Sequence, residues 1–408
     1  MMTEEQVKWG LSALELEFGA ARVRGAVEAV KRFTVEVPSW VFGRFGGGRF
    51  GDYTPPGAAR NLAEKLDDAA VVRRLTGAVE AVAMHVLWDF AEESGVASWE
   101  KAVEAHKLAA ERELKIGSIS PTYFLRGSHR NSLSAEEKQT RERYIEQSLL
   151  ACRIAQDLGS KLVTIWLPDG SSYPGQISLR RNYELAKESL LHIRQAAGTD
   201  VWMLIEYKVF EPGTYSTTIP DWGTAFALAK ALGGNTGVLV DLGHHFHGAN
   251  IEQIVARLIA ENMRCGFHFN SRYAADDDHA VEPNAEMARI FYELVSGRVV
   301  ANEKSDKNWA YMIDQCSSRE NRIHAVLHSI DSLQQCLARA MLVPEGELKQ
   351  AQDADEIIAA NRILNRALLQ ADVRPIVAAA RLEKLLPIDP VEEYRRSRYQ
   401  QKIEGERR

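Results

Sequence analysis

Four side chains suited to binding a metal occur at matching places in this 408-residue chain. Glu206, Asp241, His268 and Asp314 each stand at the end of a short apolar run. Carboxylates and imidazoles without thiolates suit Mn²⁺, Mg²⁺, Co²⁺ or Zn²⁺, and a carboxylate majority favours Mn²⁺ or Mg²⁺. Because a buried, unpaired carboxylate is costly, we expect these four side chains to hold one divalent cation.

A second group of ligand-type residues includes three consecutive aspartates. Asp276, Asp277 and Asp278 lie in the stretch GFHFNSRYAADDDHA, and a solvated turn would tolerate their charges at little cost. In an extended segment Asp276 and Asp278 point to one side and Asp277 points to the other. His244 lies three residues after Asp241 and can face the same pocket. We predict that Asp276, Asp278 and His244 hold a second cation, while Asp277 faces solvent.

The apolar runs that carry these residues recur along the chain and alternate with helical patterns. Eight runs are predicted as strands covered on both faces, namely 33–42, 81–90, 114–121, 161–170, 201–210, 237–245, 265–271 and 310–316. Apolar spacing near 3.6 predicts helices between them, for example at 144–159, 222–234 and 250–263, the last with an N-cap at Asn250.

Eight strands alternating with helices predict an α/β fold, a (β/α)8 TIM barrel with a helical C-terminal extension. The alternative is an open doubly wound sheet. That fold more often has a GxGxxG loop after its first strand, and GRFGGGRFG at 43–51 does not match this pattern. We predict an N-terminal helical segment at 1–32, the barrel at 33–335 and the extension at 336–408. The charged C-terminal end is expected to fray, and the extension to wrap the barrel or a neighbouring subunit.

The composition argues against several classes of protein. Charged residues make up 26% of the chain and the net charge is −6, so we expect no nucleic-acid partner. Four widely spaced cysteines without a CxxC pair argue against a disulfide framework and against thiolate metal binding. Without a run of 18 apolar residues or a signal-peptide pattern, we expect no membrane partner and a cytoplasmic location.

Further polar and aromatic side chains stand at the ends of the predicted strands, where a TIM barrel carries its chemistry. His85 and Trp88 end the second strand, Trp166 ends the fourth and Lys208 ends the fifth. Each also has a structural interpretation, since a lone histidine is commonly a satisfied core residue and Lys208 can pair with Glu211. The arrival of such residues from several consecutive strands favours a shared site.

Several motifs together resemble a known family. The motifs are EYKxxEP (206–212), VDLGHH (240–245), GFHFN with a following DDD (266–278), WxxDG…PGQ (166–176) and MIDQ (312–315). They resemble the sugar isomerases of the L-rhamnose isomerase group, within the wider xylose-isomerase-like barrels, over roughly residues 35–330. The resemblance implies a TIM barrel, two divalent cations (typically Mn²⁺), aldose–ketose interconversion and a homotetramer.

The resemblance also implies roles for individual residues. The shared metal ligands would be Glu206, Asp241, His268 and Asp314. The ligands of a second, catalytic metal would be His244, Asp276 and Asp278. The sugar contacts would be His85, Trp88, Trp166 and Lys208, and we assign catalytic roles to Lys208, Asp314 and His244. The chain departs from the family pattern at FHGAN after DLGHH and at Ser271.

The expected reaction is conversion of L-rhamnose to L-rhamnulose by a metal-mediated hydride shift between C1 and C2. The alternative route through a cis-enediol needs a carboxylate or imidazole base within hydrogen-bond reach of the C2 hydrogen. A metal-dependent epimerase remains the alternative and would need two paired glutamates on different strands. A phosphoester hydrolase would need more histidines and a basic groove, and a carbohydrate-binding barrel would not need two cations. For the methyl group of L-rhamnose, the candidate apolar contacts are Phe42, Phe45, Phe50 and Tyr53, from this chain or from a neighbouring subunit.

Overall fold

A parallel sheet lies at the centre of the protein in a computed structural model that describes residues 2–44, 54–91, 96–125, 127–211, 215–272, 279–301, 309–316 and 320–408. In chain order the described strands are β1 (Val37–Pro38), β2 (Ala81–His85), β3 (Lys115–Ser120), β4 (Leu162–Trp166), β5 (Gly170–Ser171), β6 (Trp202–Glu206), β7 (Phe210–Glu211), β8 (Tyr215–Thr217), β9 (Thr236–Asp241), β10 (Cys265–Phe269) and β11 (Trp309–Ile313). An eight-stranded sheet pairs in the order β1-β2-β3-β4-β6-β9-β10-β11. Each of its strands overlaps a predicted run, and β9 and β11 begin one residue before theirs.

The sheet closes into a barrel between its first and last strands. Glu36, directly before β1, forms a parallel bridge with Met312 of β11. The Glu36 N–H donates to the Tyr311 carbonyl and the Ile313 N–H donates to the Glu36 carbonyl, each at 2.9 Å. The prediction of a (β/α)8 barrel is therefore confirmed.

Helices surround the barrel and follow its strands in turn. Their bounds are α1 Glu4–Phe18, α2 Ala20–Arg32, α3 Leu62–Thr76, α4 Val86–Asp89, α5 Trp99–Ala110, α6 Lys138–Asp157, α7 Leu179–Ala196, α8 Trp222–Leu232, α9 Ile251–Ala260, α10 Ala285–Ser296, α11 Arg322–Met341, α12 Glu345–Asp353, α13 Ile357–Asn365, α14 Arg374–Leu382, α15 Pro390–Ser397 and α16 Tyr399–Glu406. The predicted cap is confirmed, because the Asn250 side chain accepts from the Gln253 N–H at the start of α9. Of the helices described, none is long and apolar enough to span a membrane.

The barrel interior has an apolar floor formed by Leu162, Leu204, Leu239 and Met312. Gly266 leaves room for this floor, since a Cβ there would lie 2.5 Å from Leu204 Cδ1 and 2.8 Å from Leu239 Cδ1. Side chains two residues apart in a strand point to the same side. The metal-ligand candidates follow this rule, with Glu206 two residues after Leu204, Asp241 after Leu239, His268 after Gly266 and Asp314 after Met312.

A small antiparallel sheet, which the sequence did not predict, lies beside the C-terminal ends of β4 and β6. Its strands pair in the order β5-β8-β7. Gly170 of β5 faces Thr217 of β8. A Cβ on Gly170 would lie 2.1 Å from the Ser216 carbonyl oxygen, so this close approach requires glycine.

The two ends of the chain pack against the barrel and against each other. Helix α14 contacts α1 and α2, and the predicted boundaries at 32 and 335 stay a prediction. The expectation that the C-terminal end frays is wrong. Its last helix extends to Glu406, and the Arg407 guanidinium donates to both carboxylate oxygens of Asp68 at 2.7 and 2.9 Å. Burial raises the pKa of Asp68 to about 6, and the Arg407 cation opposes this rise. Arg407 therefore stabilises the charged carboxylate of Asp68.

Candidate active site

Four predicted metal-ligand candidates lie together above the apolar floor of the barrel. One ligand atom from each of Glu206, Asp241, His268 and Asp314 lies within 4.8 Å of the others. His268 Nδ1 is 3.2 Å from Glu206 Oε1, 3.6 Å from Asp241 Oδ2 and 3.4 Å from Asp314 Oδ2. A metal ion lies about 2.0–2.6 Å from each of its oxygen ligands, so two ligands of one ion are at most about twice that distance apart. The distances within the cluster therefore fit one bound ion.

The electrostatics of this cluster depend on the imidazole among the carboxylates. Burial alone would lower the pKa of His268, but Glu206 and Asp241 raise it well above its ordinary value. Burial alone would likewise raise the pKa of Glu206, yet His268 and His244 hold it at about 2. Burial raises the pKa of Asp314 to about 6 although His268 opposes this. These shifts show that the carboxylates favour positive charge at the centre of the cluster, where a bound cation would lie.

One carboxylate oxygen of Asp241 identifies the cluster as suited to a metal. Asp241 is fully buried. Its Oδ1 accepts from the Gly243 N–H at 2.8 Å and from Asn270 Nδ2 at 3.0 Å. Its Oδ2 has no hydrogen-bond partner among the described residues, and it faces the cluster. Because a buried polar atom without a partner is costly, this oxygen fits a metal ligand.

His244 lies next to this cluster. Its Nδ1 is 3.3 Å from Glu206 Oε1 and 3.1 Å from the Tyr207 carbonyl oxygen. Burial alone would lower the pKa of His244, but Asp241 and Glu206 raise it to about 9. Asp276, Asp277 and Asp278 lie outside the described residues. The second cation site therefore stays a prediction.

The cluster opens into a cavity of about 440 Å³ at the C-terminal ends of the strands. All four residues predicted to contact sugar line it, namely His85, Trp88, Trp166 and Lys208. Lys208 Nζ lies 3.3 Å from Glu211 Oε2 and 5.2 Å from the centre of the Trp166 ring. The ion pair considered as the structural interpretation of Lys208 is thus present, and both of its members line the cavity.

The prediction for Phe42 is wrong. Its side chain is 1% exposed in the hydrophobic core and does not line the cavity, because the short 3-10 helix Ser39–Phe42 packs it towards α3 and α11. The other proposed apolar contacts, Phe45, Phe50 and Tyr53, lie outside the described residues. The aromatic residue Phe124 lines the cavity instead, with ring centres 5.5 Å from Trp88 and 5.3 Å from Trp166.

Trp40 is a site residue that the sequence analysis missed. It lies two residues after β1, and its indole Nε1 donates to Asp314 Oδ1 at 2.9 Å. The segment after β1 has an aromatic residue where most other strand ends have polar ones. An available signal was the indole N–H, a donor that usually finds a partner when it is buried.

A buried ion pair supports the side of the cavity formed by β1 and β2. Asp89 Oδ1 lies 2.8 Å from Lys65 Nζ. Asp89 Oδ2 accepts from Ser39 Oγ at 2.6 Å and from the His85 N–H at 2.9 Å. One carboxylate therefore joins the residue before Trp40 to the backbone of His85.

His85 is held in a neutral form. Its Nδ1 lies 2.6 Å from Thr122 Oγ1, and burial lowers the pKa of His85 to about 4. Its ring packs against Trp88 with ring centres 4.4 Å apart. A neutral imidazole can exchange hydrogen bonds with sugar hydroxyls without adding charge to the cavity.

The protein is a TIM barrel with a carboxylate–imidazole cluster at the C-terminal ends of its strands, where enzymes of this fold carry their active sites. Among solved structures, an L-ribulose 3-epimerase superimposes with a TM-score of 0.51 at 12% identity, covering 80% of this chain and 98% of that one. At this identity the similarity shows the fold alone.

The chain belongs to the L-rhamnose isomerase (RhaA) family, which it matches over residues 41–368. It is 36% identical to a probable sugar isomerase of Rhizobium meliloti, over 94% of this chain and 88% of that protein. It is 35% identical to a probable sugar isomerase of Mesorhizobium japonicum, over 93% and 87% respectively. The protein is therefore an isomerase, as the sequence motifs implied.

Replacing Trp40 by phenylalanine tests the contact with Asp314. Trp40→Phe keeps an aromatic ring but removes the N–H donor, and loss of such a supporting bond weakens metal binding by about 10–100-fold. Titration calorimetry with Mn²⁺ measures the dissociation constant. Trp9→Phe is the control, since Trp9 is 65% exposed on α1. An unchanged dissociation constant in Trp40→Phe would show that the indole does not support the cluster.

Proposed function

We propose that this protein is a metal-dependent aldose–ketose isomerase that converts L-rhamnose to L-rhamnulose. The observation that supports it best is the cluster of buried Glu206, Asp241 and His268 with half-buried Asp314, at the base of a cavity lined by aromatic side chains and Lys208. The carboxylate majority favours Mn²⁺, with Mg²⁺, Co²⁺ or Zn²⁺ as alternatives. A homotetramer and a cytoplasmic location stay predictions from the sequence.

In the proposed reaction the hydrogen on C2 moves to C1 with its electron pair, while the proton on O2 passes to O1. The chemistry that a bound cation supplies here is Lewis-acid polarisation of O1 and O2. The side chains of Glu206, Asp241, His268 and Asp314 would hold this ion. Asp314 and His244 also line the cavity, and their assignment as catalytic residues stays a prediction.

Lys208 is the one lysine or arginine in the described lining of the cavity, and it offers a cation to the substrate. An ammonium group provides three hydrogen-bond donors, and Lys208 is 5% exposed. We assign it to the oxygen on which negative charge develops during hydrogen transfer, because fixed donors act strongly where water is excluded. Glu211 keeps the ammonium group in the cavity before sugar binds.

The aromatic part of the cavity suits the methyl end of L-rhamnose. Trp88, Phe124 and Trp166 offer apolar ring faces, and Pro121 lines the same cavity. Burying a methyl group against such faces contributes about 0.8 kcal/mol. The neutral His85 ring lies beside Trp88, where it can exchange hydrogen bonds with a hydroxyl group or the ring oxygen.

The geometry gives less support to the epimerase alternative. Two glutamates line the described part of the cavity, Glu206 and Glu211. Glu206 belongs to the ligand cluster and Glu211 is paired with Lys208. A pair of glutamate bases on opposite faces of a sugar is not found among the described residues.

A panel of aldoses and ketoses tests the proposed function. Enzyme loaded with Mn²⁺ should convert L-rhamnose to L-rhamnulose faster than it converts aldoses with a hydroxymethyl end, as measured by chromatography. Chelation should abolish turnover and Mn²⁺ should restore it. Formation of an epimeric ketose instead would establish the epimerase alternative. Full activity in protein shown by elemental analysis to be metal-free would refute metal dependence.

Replacing Lys208 by methionine tests its catalytic role. Lys208→Met keeps the apolar stem but removes the donor, so kcat should fall about 10²-fold, as expected for loss of one transition-state donor. Metal content should stay that of the wild type. Lys161→Met is the matched control, because Lys161 pairs with Asp200 at the exposed N-terminal end of β4. A wild-type kcat in Lys208→Met would leave only a structural role.

The three consecutive aspartates predict a second bound cation. If Asp276 and Asp278 bind it with His244, then Asp276→Asn, Asp278→Asn and His244→Ala should each lose about one equivalent of metal. Asp277→Asn should keep both equivalents, since an exposed charge contributes little. Elemental analysis measures the stoichiometry. Retention of two metals by all three aspartate variants would identify the triplet as a solvated turn.

A further inference from the structure

Asp169 is a buried carboxylate that takes no part in the ligand cluster. It follows β4, is 2% exposed, and lines the cavity. Its Oδ1 accepts from the N–H and Oγ of Ser132 at 2.8 and 2.7 Å. Its Oδ2 accepts from the N–H and Oγ of Ser134, each at 2.8 Å. Both oxygens are therefore used within the protein.

The balance of charge around Asp169 is unusual for a buried carboxylate. Among the described residues it forms no ion pair, whereas Asp89 is compensated by Lys65. Burial raises the pKa of Asp169, and the serine hydrogen bonds oppose this rise. Burying a charge without a cation is costly unless hydrogen bonds compensate it. The hydrogen bonds of this costly carboxylate connect Asp169 to the segments that line the cavity.

The main chain of Asp169 connects to the hairpin of β7 and β8. Its carbonyl oxygen accepts from the Thr218 N–H at 2.7 Å. Thr218 Oγ1 also donates to the side chain of Asn182 at 2.5 Å, and Asn182 donates to Ser134 Oγ at 2.6 Å. The loop after β3, the turn after β4 and the residues after β8 thus form one hydrogen-bonded unit.

This unit forms hydrogen bonds with both the main-chain N–H and the main-chain carbonyl of Lys208. The Lys208 N–H donates to the Ile219 carbonyl at 3.1 Å. The Lys208 carbonyl accepts from Thr217 Oγ1. Residues 217–219, which bond to Asp169 through Thr218, therefore fix the main chain from which the Lys208 side chain enters the cavity.

We propose that Asp169 is a positioning residue that sets the place of the Lys208 ammonium group in the cavity. Its carbonyl oxygen acts through Thr218 on the segment that bonds the Lys208 main chain, while its two carboxylate oxygens stay bonded to Ser132 and Ser134. This role rests on the proposed isomerase function and adds to it a residue that does not touch the reacting atoms.

A double-mutant cycle with Asp169→Asn and Lys208→Met tests this role. In Asp169→Asn the amide NH₂ would face a backbone N–H of Ser132 or Ser134, so the unit should shift. A displacement of about 1 Å can cost on the order of 10²-fold in rate. We expect kcat to fall by about that factor in the wild-type background and by less than twofold when Lys208 is already methionine. The Mn²⁺ dissociation constant should stay within twofold of wild type.

A second pair of substitutions keeps the test valid if Asp169→Asn does not fold. Ser132→Ala with Ser134→Ala removes two hydroxyl donors but leaves the carboxylate and both backbone donors. Its kcat should fall by about 10-fold, as expected for loss of hydrogen bonds to a charged group, and this loss should also vanish in Lys208→Met. Asp200→Asn is the control, since Asp200 is an exposed aspartate paired with Lys161.

The outcomes separate this proposal from the proposed function. An active wild-type enzyme in which the two substitutions act independently, or in which Asp169→Asn keeps its kcat, overturns the role of Asp169 alone. A wild-type enzyme that isomerises no sugar overturns the proposed function and this role together. A loss of activity that only parallels a loss of folded protein, seen in both backgrounds, also overturns it.

Discussion

The concentration of three carboxylates around one imidazole is the constraint on which the rest of the site depends. Two like charges 4 Å apart repel by about 4 kcal/mol at an effective dielectric constant of about 20. The cluster therefore needs positive charge, which a bound cation would supply, and the carboxylates raise the pKa of His268 for the same reason. Strands β6, β9 and β10 are paired in register, so Glu206, Asp241 and His268 cannot move apart to relieve the repulsion.

Two buried carboxylates outside the cluster hold segments that border the cavity. Asp89 is balanced by Lys65 and joins the segments that carry Trp40 and His85. Asp169 is balanced by neutral donors and joins the segments after β3, β4 and β8. Irregular segments bury little apolar area, so specific hydrogen bonds to a charge, worth about 1.5–3 kcal/mol each, give them a fixed geometry.

The sequence predicted the barrel and the first ligand cluster for the same physical reason. Strands covered on both faces are continuously apolar, so a polar residue at a strand end is easily recognised. Side chains alternate along a strand with a period of two, which places Glu206 and Asp314 on the inner side of the barrel. The small sheet gave no such signal, because β5 and β7 have two residues each and no period can be read from them. Ser132 and Ser134 resemble solvated loop residues in sequence, and only the fold reveals the carboxylate between them.

A shared barrel places the ligand cluster but does not by itself choose the reaction, since one fold supports many chemistries. The choice depends on which groups reach the substrate carbons from the cavity lining. Inverting a carbon centre requires a proton acceptor on each face, whereas moving hydrogen between C1 and C2 requires charge stabilisation at the oxygens. In the described part of this cavity Lys208 is a donor, and Glu211, the glutamate outside the cluster, is paired with it. The lining thus favours stabilisation of a developing oxyanion over removal of a proton. The two residues that decide this, Lys208 and Glu211, lie just before and within the β7–β8 hairpin, outside the barrel strands.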